Sequence, residues 1–319
     1  MNSLHSNSAR WSTREHNSAG EAISDSVDVS VVVCTYNRAR QIEQALLHIG
    51  KAAARAEPSV EIVVVDNNSS DDTRAVVAAI SRESSVPIRY ALEESQGLSF
   101  ARNRGIEESK GSVIAFTDDD CIVEPEWINA LWREFVANPD VAILGGRVDL
   151  YWPDDKPVTI RPLAERVRYT DATQIYGLII GCNLAVRRDA VARIGEFDPA
   201  LGGSKGVVAD DIEFVYRAFK QGLGVLFTPA PRVFHNHGRR TDADLLALGK
   251  NYVRGKGAFF CKYLLKGDSI ILRHAWWEVR RHVSSSPEKR TGLSNWKALW
   301  VLASGALHFV LTRARLARP

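Results

Sequence analysis

Four apolar runs among the first 120 residues, each closing on polar or acidic side chains, constrain the fold more than any other feature. Val29-Ser-Val-Val-Val-Cys34 and Glu61-Ile-Val-Val-Val-Asp66 are almost unbroken β-branched stretches, and residues 86–92 and Ser112-Val-Ile-Ala-Phe-Thr117 follow. Runs without polar alternation suit strands covered on both faces, as in parallel sheets. Helical patterns separate them. Ile42, Ala45, Leu46 and Ile49 fall at i, i+3, i+4 and i+7 with Gly50 as a stop. The polar stretch 67–72 caps a helix over about 73–80, and a third helix spans about 98–108. Strand–helix alternation with short joins predicts an α/β fold, a doubly wound, mostly parallel sheet.

Beyond residue 120 the pattern loosens. Pro125 is expected in the first turn of a helix with Ile128, Leu131, Trp132 and Phe135 on its apolar face. A helix from near Asp211 carries Ile212, Val215, Tyr216 and Phe219, and stops at Gly222. A last short strand over 225–228 meets Pro229 and Pro231, and the remainder reads as helical and basic. Three divisions are expected: a disordered, Ser- and Asn-rich leader over 1–27, a main domain over 28–238, and a helical extension over 239–319. The net charge of +3 hides an asymmetry: residues 1–238 hold 25 Lys and Arg against 33 Asp and Glu, and residues 239–319 hold 16 against 5. A basic tail on an acidic body points to an anionic surface as partner. Cys34, Cys121, Cys182 and Cys261 are scattered with no metal-ligand spacing, which fits a reducing, cytosolic-type compartment. The nearest candidate span, 298–311, falls short of the ~20 residues a transmembrane helix needs.

Asp118, Asp119 and Asp120 close the fourth run. At the carboxyl end of a parallel strand they face the crevice where open α/β sheets bind ligands. Like charge so concentrated is costly unless a cation offsets it. Oxygen ligands of this kind suit Mg²⁺ or Mn²⁺, ions that also hold substrate phosphates. A solvated acidic turn is the competing reading of the triplet alone.

Other constellations share that end of the sheet. The turn Cys34-Thr-Tyr-Asn-Arg38 offers hydroxyls, an amide and a ring to a base and ribose, and the helix N-terminus after it favours anions. An ordinary capped turn uses the same residue types. Asp66 ends the second run, where a carboxylate accepts from a base N–H or a ribose hydroxyl. Gly97-Leu-Ser-Phe-Ala-Arg-Asn-Arg-Gly105 places Arg102 near the same crevice, either reaching a ribose or diphosphate or simply solvated. Asp210, Asp211 and Glu213 open a helix behind Gly202-Gly-Ser-Lys-Gly206, where they serve as caps or supply a general base. His235 and His237 follow the last strand as structural residues or as further ligands to the cation. No Gly-x-Gly-x-x-Gly follows the first strand and no Gly-Lys-Ser loop occurs, so neither dinucleotide nor P-loop chemistry is indicated.

Taken in order, Val-Ser-Val-Val-Val-Cys-Thr-Tyr-Asn-Arg, Val-Val-Val-Asp-Asn-Asn-Ser-Ser-Asp, Gly-Leu-Ser-Phe-Ala-Arg-Asn-Arg-Gly, Phe-Thr-Asp-Asp-Asp, Gly-Cys-Asn-Leu-Ala-Val-Arg-Arg and Asp-Asp-Ile-Glu-Phe-Val-Tyr-Arg form a specific set. Over residues 29–237 the chain resembles family 2 glycosyltransferases of the GT-A fold, inverting enzymes that use a nucleotide-sugar donor and a divalent metal. The resemblance implies base contacts from Thr35, Tyr36 and Asp66 and a nucleotide-facing Arg102. Asn37, Arg38, Asn68, Gly97, Asp118 and Asp119 complete the implied donor-binding set. Asp118 and Asp120 match the two ends of the Asp-x-Asp motif and both belong to the implied metal set, with Asp120 the direct ligand and Asp118 toward the ribose. Pro125 falls where the family often has proline after that motif. His235 resembles the histidine that completes the metal shell in some members. Asp211 matches the catalytic base, although Asp210 stands where Glu is usual and leaves the choice between the two open. Cys121 stands where many members have a third motif Asp.

The implied reaction moves a sugar from a UDP-type donor to a glycan or lipid-linked hydroxyl, with Mn²⁺ or Mg²⁺ as cofactor. A non-catalytic nucleotide-sugar-binding protein and a sugar-nucleotide pyrophosphorylase are the alternatives; the latter calls for a Gly-rich, Arg-containing loop after the first strand, absent here. Trp276, Trp277, Trp296 and Trp300 among Arg273, Arg280, Arg281, Lys297 and Arg313 suit peripheral contact with an anionic membrane or a cover over the acceptor cleft. No nucleic-acid partner is expected, because no recognisable binding module accompanies the basic tail.

Overall fold

The computed structural model describes residues 26–175, 177–202, 206–284 and 294–316; most of the expected leader lies outside them. The first half runs β1 (Val29–Thr35), α1 (Ala39–Ala53), β2 (Val60–Asp66), α2 (Thr73–Glu83), β3 (Ile88–Leu92), α3 (Leu98–Glu108) and β4 (Val113–Asp118). These strands lie in the order β3-β2-β1-β4, and every pairing among them is parallel. Both faces are covered, which is why the runs lack alternation: Val32 belongs to one core layer, and Val31 and Val33 to the other. In register, Thr35 stands level with Asp66 and Cys34 with Asp118. The strand order reverses between β1 and β4, so the acids of β4 and the turn after β1 flank a topological switch point.

The second half departs from the mostly parallel expectation. It contains β5 (Cys121–Val123), α4 (Trp127–Ala137), β6 (Val141–Leu150), β7 (Val167–Arg168), β8 (Leu184–Arg187), α5 (Arg188–Ile194), α6 (Asp210–Lys220) and β9 (Gly224–His235). β8 is antiparallel to both β4 and β6, and β5 and β7 are antiparallel to β9. Only β6 and β9 pair in parallel here. Between β6 and β8 the described chain has loops, β7 and short 3₁₀ turns but no crossover helix, so it returns antiparallel.

Local chemistry corrects two further expectations. Pro125 does not open α4; it occupies a turn closed by the Trp127 N–H to the Glu124 carbonyl at 3.0 Å, two residues ahead of the helix. β9 is also longer than the short strand expected at 225–228, running through both prolines to His235. The prolines fall where the pairing with β6 shifts register between Gly145 and Arg147, and a bulge tolerates a missing donor. The Asn183 amide satisfies this irregularity by donating to the carbonyls of Arg147 (2.9 Å) and Pro231 (3.0 Å) while accepting from the Trp127 indole (2.9 Å). A side chain at Gly146 would overlap that amide.

α7 (Asp242–Leu264), α8 (Ser269–Ser284) and α9 (Asn295–Leu316) follow. A capping box between Thr241 and Asp244 starts α7. Its inner side, with Phe259, Phe260 and Tyr263, packs into the same core layer as Phe214 and Tyr216 of α6. α7 and α9 approach to backbone contact: a Cβ on Gly257 would overlap the Leu302 carbonyl, and one on Gly305 the Arg254 carbonyl. Gly257→Val is therefore expected to cost about 1–3 kcal/mol of stability by overpacking; an unchanged melting temperature would contradict this close approach. No described helix is long and apolar enough to cross a membrane.

Candidate active site

A cleft of about 480 Å³ opens at the carboxyl ends of β1 and β4. On its β side, the Thr35 hydroxyl donates to Asp119 at 2.8 Å. Arg38 reaches from the start of α1, and its Nη1 lies 2.8 Å from both Asp119 and Asp120. Asp118 is left facing the cleft with its side chain 35% exposed.

The opposing wall is built by α3 and α6. Arg102 is buried, and its Nη1 donates to Asp210 Oδ2 at 2.6 Å while its Nη2 lies 3.9 Å from Asp118 Oδ1. One guanidinium thus spans two acidic clusters some 90 residues apart in the chain. The approach requires Gly181, where any Cβ would overlap the guanidinium. The Gly181 N–H in turn donates to Asp211 Oδ2 at 2.9 Å, and the Ile212 N–H to Asp211 Oδ1 at 2.7 Å. Asp210 is sequestered with Arg102, whereas Asp211 stays partly open on the cleft wall.

β9 delivers His235 opposite Cys121, one residue beyond the acids. His235 Nε2 lies 3.2 Å from Asp120 Oδ1, and Nδ1 lies 3.1 Å from the Thr159 carbonyl. A carbonyl partner at Nδ1 sets the ring so that Nε2 faces the carboxylate, the arrangement common among metal-ligating histidines. Asp120, Cys121 and His235 bring potential ligand atoms within 4.8 Å of one another. Burial and a hydrogen bond with Cys182 hold the Cys121 thiol well above its usual range, so it stays protonated and is a poor ligand. The carboxylate and imidazole that remain are the pair that could hold a metal ion.

Charge states follow the enclosure. Burial pushes Asp119 up to about 6 against the pull of Arg38, and raises Asp210 to about 6 against Arg102. Asp118 is raised mainly by desolvation as well, although a third of its side chain reaches solvent. Asp120 goes the other way: burial opposes ionisation, yet the hydrogen bond from His235 and the nearby charges hold it at about 2. It is the most firmly ionised member of the triplet; the same contact lifts His235 against its burial to about 10, so the imidazole must give up its proton before it can ligate a cation.

Residues 30–195 match the Glycosyl transferase family 2 profile, and residues 113–316 match Glycosyl transferase family group 2. The glucosyl-dolichyl phosphate glucuronosyltransferase of Haloferax volcanii is 30% identical over 234 residues, 68% of this chain and 72% of that protein. The chain belongs to glycosyltransferase family 2. Glycosyltransferase AglE of Haloferax volcanii is 28% identical, covering 86% of this chain and 89% of its own length. A solved mannosyltransferase from Pyrobaculum calidifontis, in complex with GDP-Man and Mn²⁺, superposes with a TM-score of 0.58 at 18% identity, covering 92% of this chain and 81% of that one. S. aureus TarS 1-349 in complex with UDP-GlcNAc gives 0.55 at 16% identity, over 88% and 81%. These likenesses show the GT-A glycosyltransferase fold.

On this glycosyltransferase, Thr35, Tyr36, Arg38, Gly97, Arg102, Asp118, Asp119, Asp120, Asp210, Asp211 and His235 line one cleft. Asp66 does not reach the wall. Its oxygens accept from Tyr90 Oη at 2.8 Å and the Ser69 N–H at 2.9 Å, and Asn67 takes its place. Asn37 and Asn68, both with positive φ, lie outside the wall in exposed turns. His237 also lies off the wall: its Nδ1 accepts from the Arg239 N–H at 3.0 Å, and burial keeps the ring neutral. The sequence reading missed Arg239, Asn251 and Tyr252, which complete the cleft from the segment after β9 and from α7. Arg239 alone had a local signal, its place two residues beyond the His-x-His pair. Its Nη1 is buried with no hydrogen-bond partner among the described residues, unlike the carboxylate-bound Arg38 and Arg102.

Proposed function

We propose that this enzyme transfers a sugar, with inversion, from a nucleotide-diphosphate donor to a hydroxyl of a lipid-linked or glycan acceptor, with Asp211 as base and a divalent cation as cofactor. The observation that carries the reading is the single guanidinium of Arg102 joining Asp118 to Asp210 across one cleft. Donors and acceptors named for similar proteins support it: GDP-Man with Mn²⁺, UDP-GlcNAc and a glucosyl-dolichyl phosphate. UDP is the nucleotide of choice, and the basic, Trp-bearing segment 239–319 is read as the side that meets a membrane.

Asp120 and His235 would hold the cation, Mn²⁺ or Mg²⁺, which when bound would offset negative charge on the departing nucleoside diphosphate. Thr35, Tyr36 and Asn67 offer the nucleoside polar and aromatic contacts. Asp118 faces the ribose side of the cleft. Asp210 fixes Arg102 and is spent on that ion pair, so it is not the base. Asp211 is pinned by two backbone N–H groups yet open to the cleft, and it takes the acceptor proton as the hydroxyl attacks the anomeric carbon. Arg239 brings a guanidinium nitrogen that phosphate oxygens can satisfy.

The reading is tested by following nucleoside diphosphate release from a panel of nucleotide sugars. EDTA is expected to abolish turnover and Mn²⁺ to restore it, with Asp120→Ala unresponsive to the added ion. Full activity after exhaustive chelation would remove the cation from the mechanism.

A further inference from the structure

Most of the side chains that α9 leaves exposed are apolar. Trp296, Trp300, Leu307 and Leu311 recur at four- and seven-residue intervals and are 81, 74, 60 and 51% exposed. Their spacing places them on one helical face. The opposite face buries Ala298, Gly305 and Phe309 against the rest of the protein. α8, packed against α9, adds Leu272 (60%), Trp276 (52%) and Trp277 (57%). So much exposed tryptophan and leucine on adjacent helices exceeds what an ordinary surface carries.

The charge around it has one sign. Lys266, Arg273, Arg280, Lys297, Arg313 and Arg315 are exposed on α8, α9 and the turn before them. The two acids described on this stretch turn inward. Asp268 accepts from Tyr216 Oη at 2.9 Å and lies 3.1 Å from Lys220, and Glu278 pairs with Lys256 at 3.0 Å. The Arg280 guanidinium sits 5.1 and 5.7 Å from the ring centroids of Trp276 and Trp277, a cation held at the edge of the aromatic surface.

We propose that α8 and α9 form a docking surface for an anionic phospholipid bilayer, with the tryptophans and leucines in the interface and the cations among the headgroups. A second copy of this chain is the poorer occupant, because a two-fold contact would set these cations against one another. No described helix spans a membrane, so the surface lies on the bilayer. Among the described residues, α7 links it to the cleft: Asn251 and Tyr252 line the wall, while Gly257 on the same helix meets the Leu302 backbone of α9. A bilayer-embedded acceptor, the part of the functional reading on which this surface rests, would be met on the α7 side.

The full-length chain is tested by co-sedimentation with vesicles of phosphatidylcholine and phosphatidylglycerol at about 7:3, against pure phosphatidylcholine. It is expected to bind the anionic vesicles and to be released as salt rises. Trp296→Glu/Trp300→Glu is expected to weaken binding about tenfold or more, with melting temperature and donor hydrolysis unchanged. Wild-type protein that stays in the supernatant, or a double variant that sediments like wild type, would overturn the surface. A wild-type dimer in vesicle-free solution that the double variant abolishes would assign the face to a second copy and overturn it equally. Donor hydrolysis in the same samples separates the two claims: lost docking with hydrolysis kept sinks only the surface, and docking without hydrolysis sinks only the catalytic reading.

Discussion

Asp211→Asn is expected to slow sugar transfer by ~10²–10⁴, the usual loss when a positioned general base is removed. The side chain already accepts the Gly181 and Ile212 N–H groups, one on each oxygen. A carboxamide must turn its NH₂ toward one of those donors, so it loses a hydrogen bond as well as the ability to take a proton. Neither donor lies on the β side of the cleft, where Thr35 and Tyr36 sit, so donor affinity should change little. Saturating donor kinetics beside a thermal-shift titration with nucleotide sugar separates the two: kcat collapses while the ligand-induced rise in melting temperature survives. Near-normal kcat in Asp211→Asn would remove Asp211 from the proton transfer.

Arg102→Ala carries the largest expected cost to the fold, about 3–5 kcal/mol, because it strands a carboxylate in the interior. Asp210 is 1% exposed, and Arg102 is its ion-pair partner. The loss depends on pH with a definite sign. Burial already lifts Asp210 from 3.8 to about 6 with Arg102 in place, and without the guanidinium it rises further. A carboxyl whose folded pKa exceeds its unfolded value holds its proton more readily when folded, so stability falls as pH climbs through that interval. Wild type and variant should therefore lose stability in parallel between about pH 4 and pH 6, and the variant should fall further behind only above about pH 6, where Asp210 ionises in the wild type but stays protonated in the variant. Urea unfolding at several pH values measures this directly. Arg102→Met/Asp210→Leu removes both charges and should recover much of the stability, without recovering activity. A pH-independent deficit in Arg102→Ala would mean that packing rather than charge makes the pair matter.

The two variants also mark what could be read from the chain before folding. Val31, Val32 and Val33 advertise a strand covered on both sides, since no solvent-facing position interrupts them. The acids after Phe116-Thr117 then fall at the crevice by the geometry of parallel strands alone. The same reasoning failed at β9, where Pro229 and Pro231 read as a stop. A prolyl residue does block a regular ladder, but the register shift opposite Gly146 removes the need for its missing N–H. Asp66 shows what the local sequence leaves out. It ends its strand where a ligand contact is expected, and Tyr90 and the Ser69 N–H, brought near by the sheet and the following turn, each donate to one of its oxygens. Nothing in the local sequence announces Tyr252, because its place on the cleft wall depends on α7 docking against the Val208 backbone, an approach that only Gly255 allows.

By itself, then, the sequence determined the parallel half of the sheet, the end at which chemistry gathers, and the acidic and cationic residues available there, because strand burial and side-chain type are local properties. Only the tertiary structure decided how those charges are shared. Asp210 became Arg102's counter-ion and Asp211 the open carboxylate, Asp120 rather than Asp119 met His235, and α7 closed the cleft. Each of these depends on which groups lie within about 3–4 Å across long sequence separations, and ion pairing and desolvation at that range outweigh a residue's intrinsic acidity.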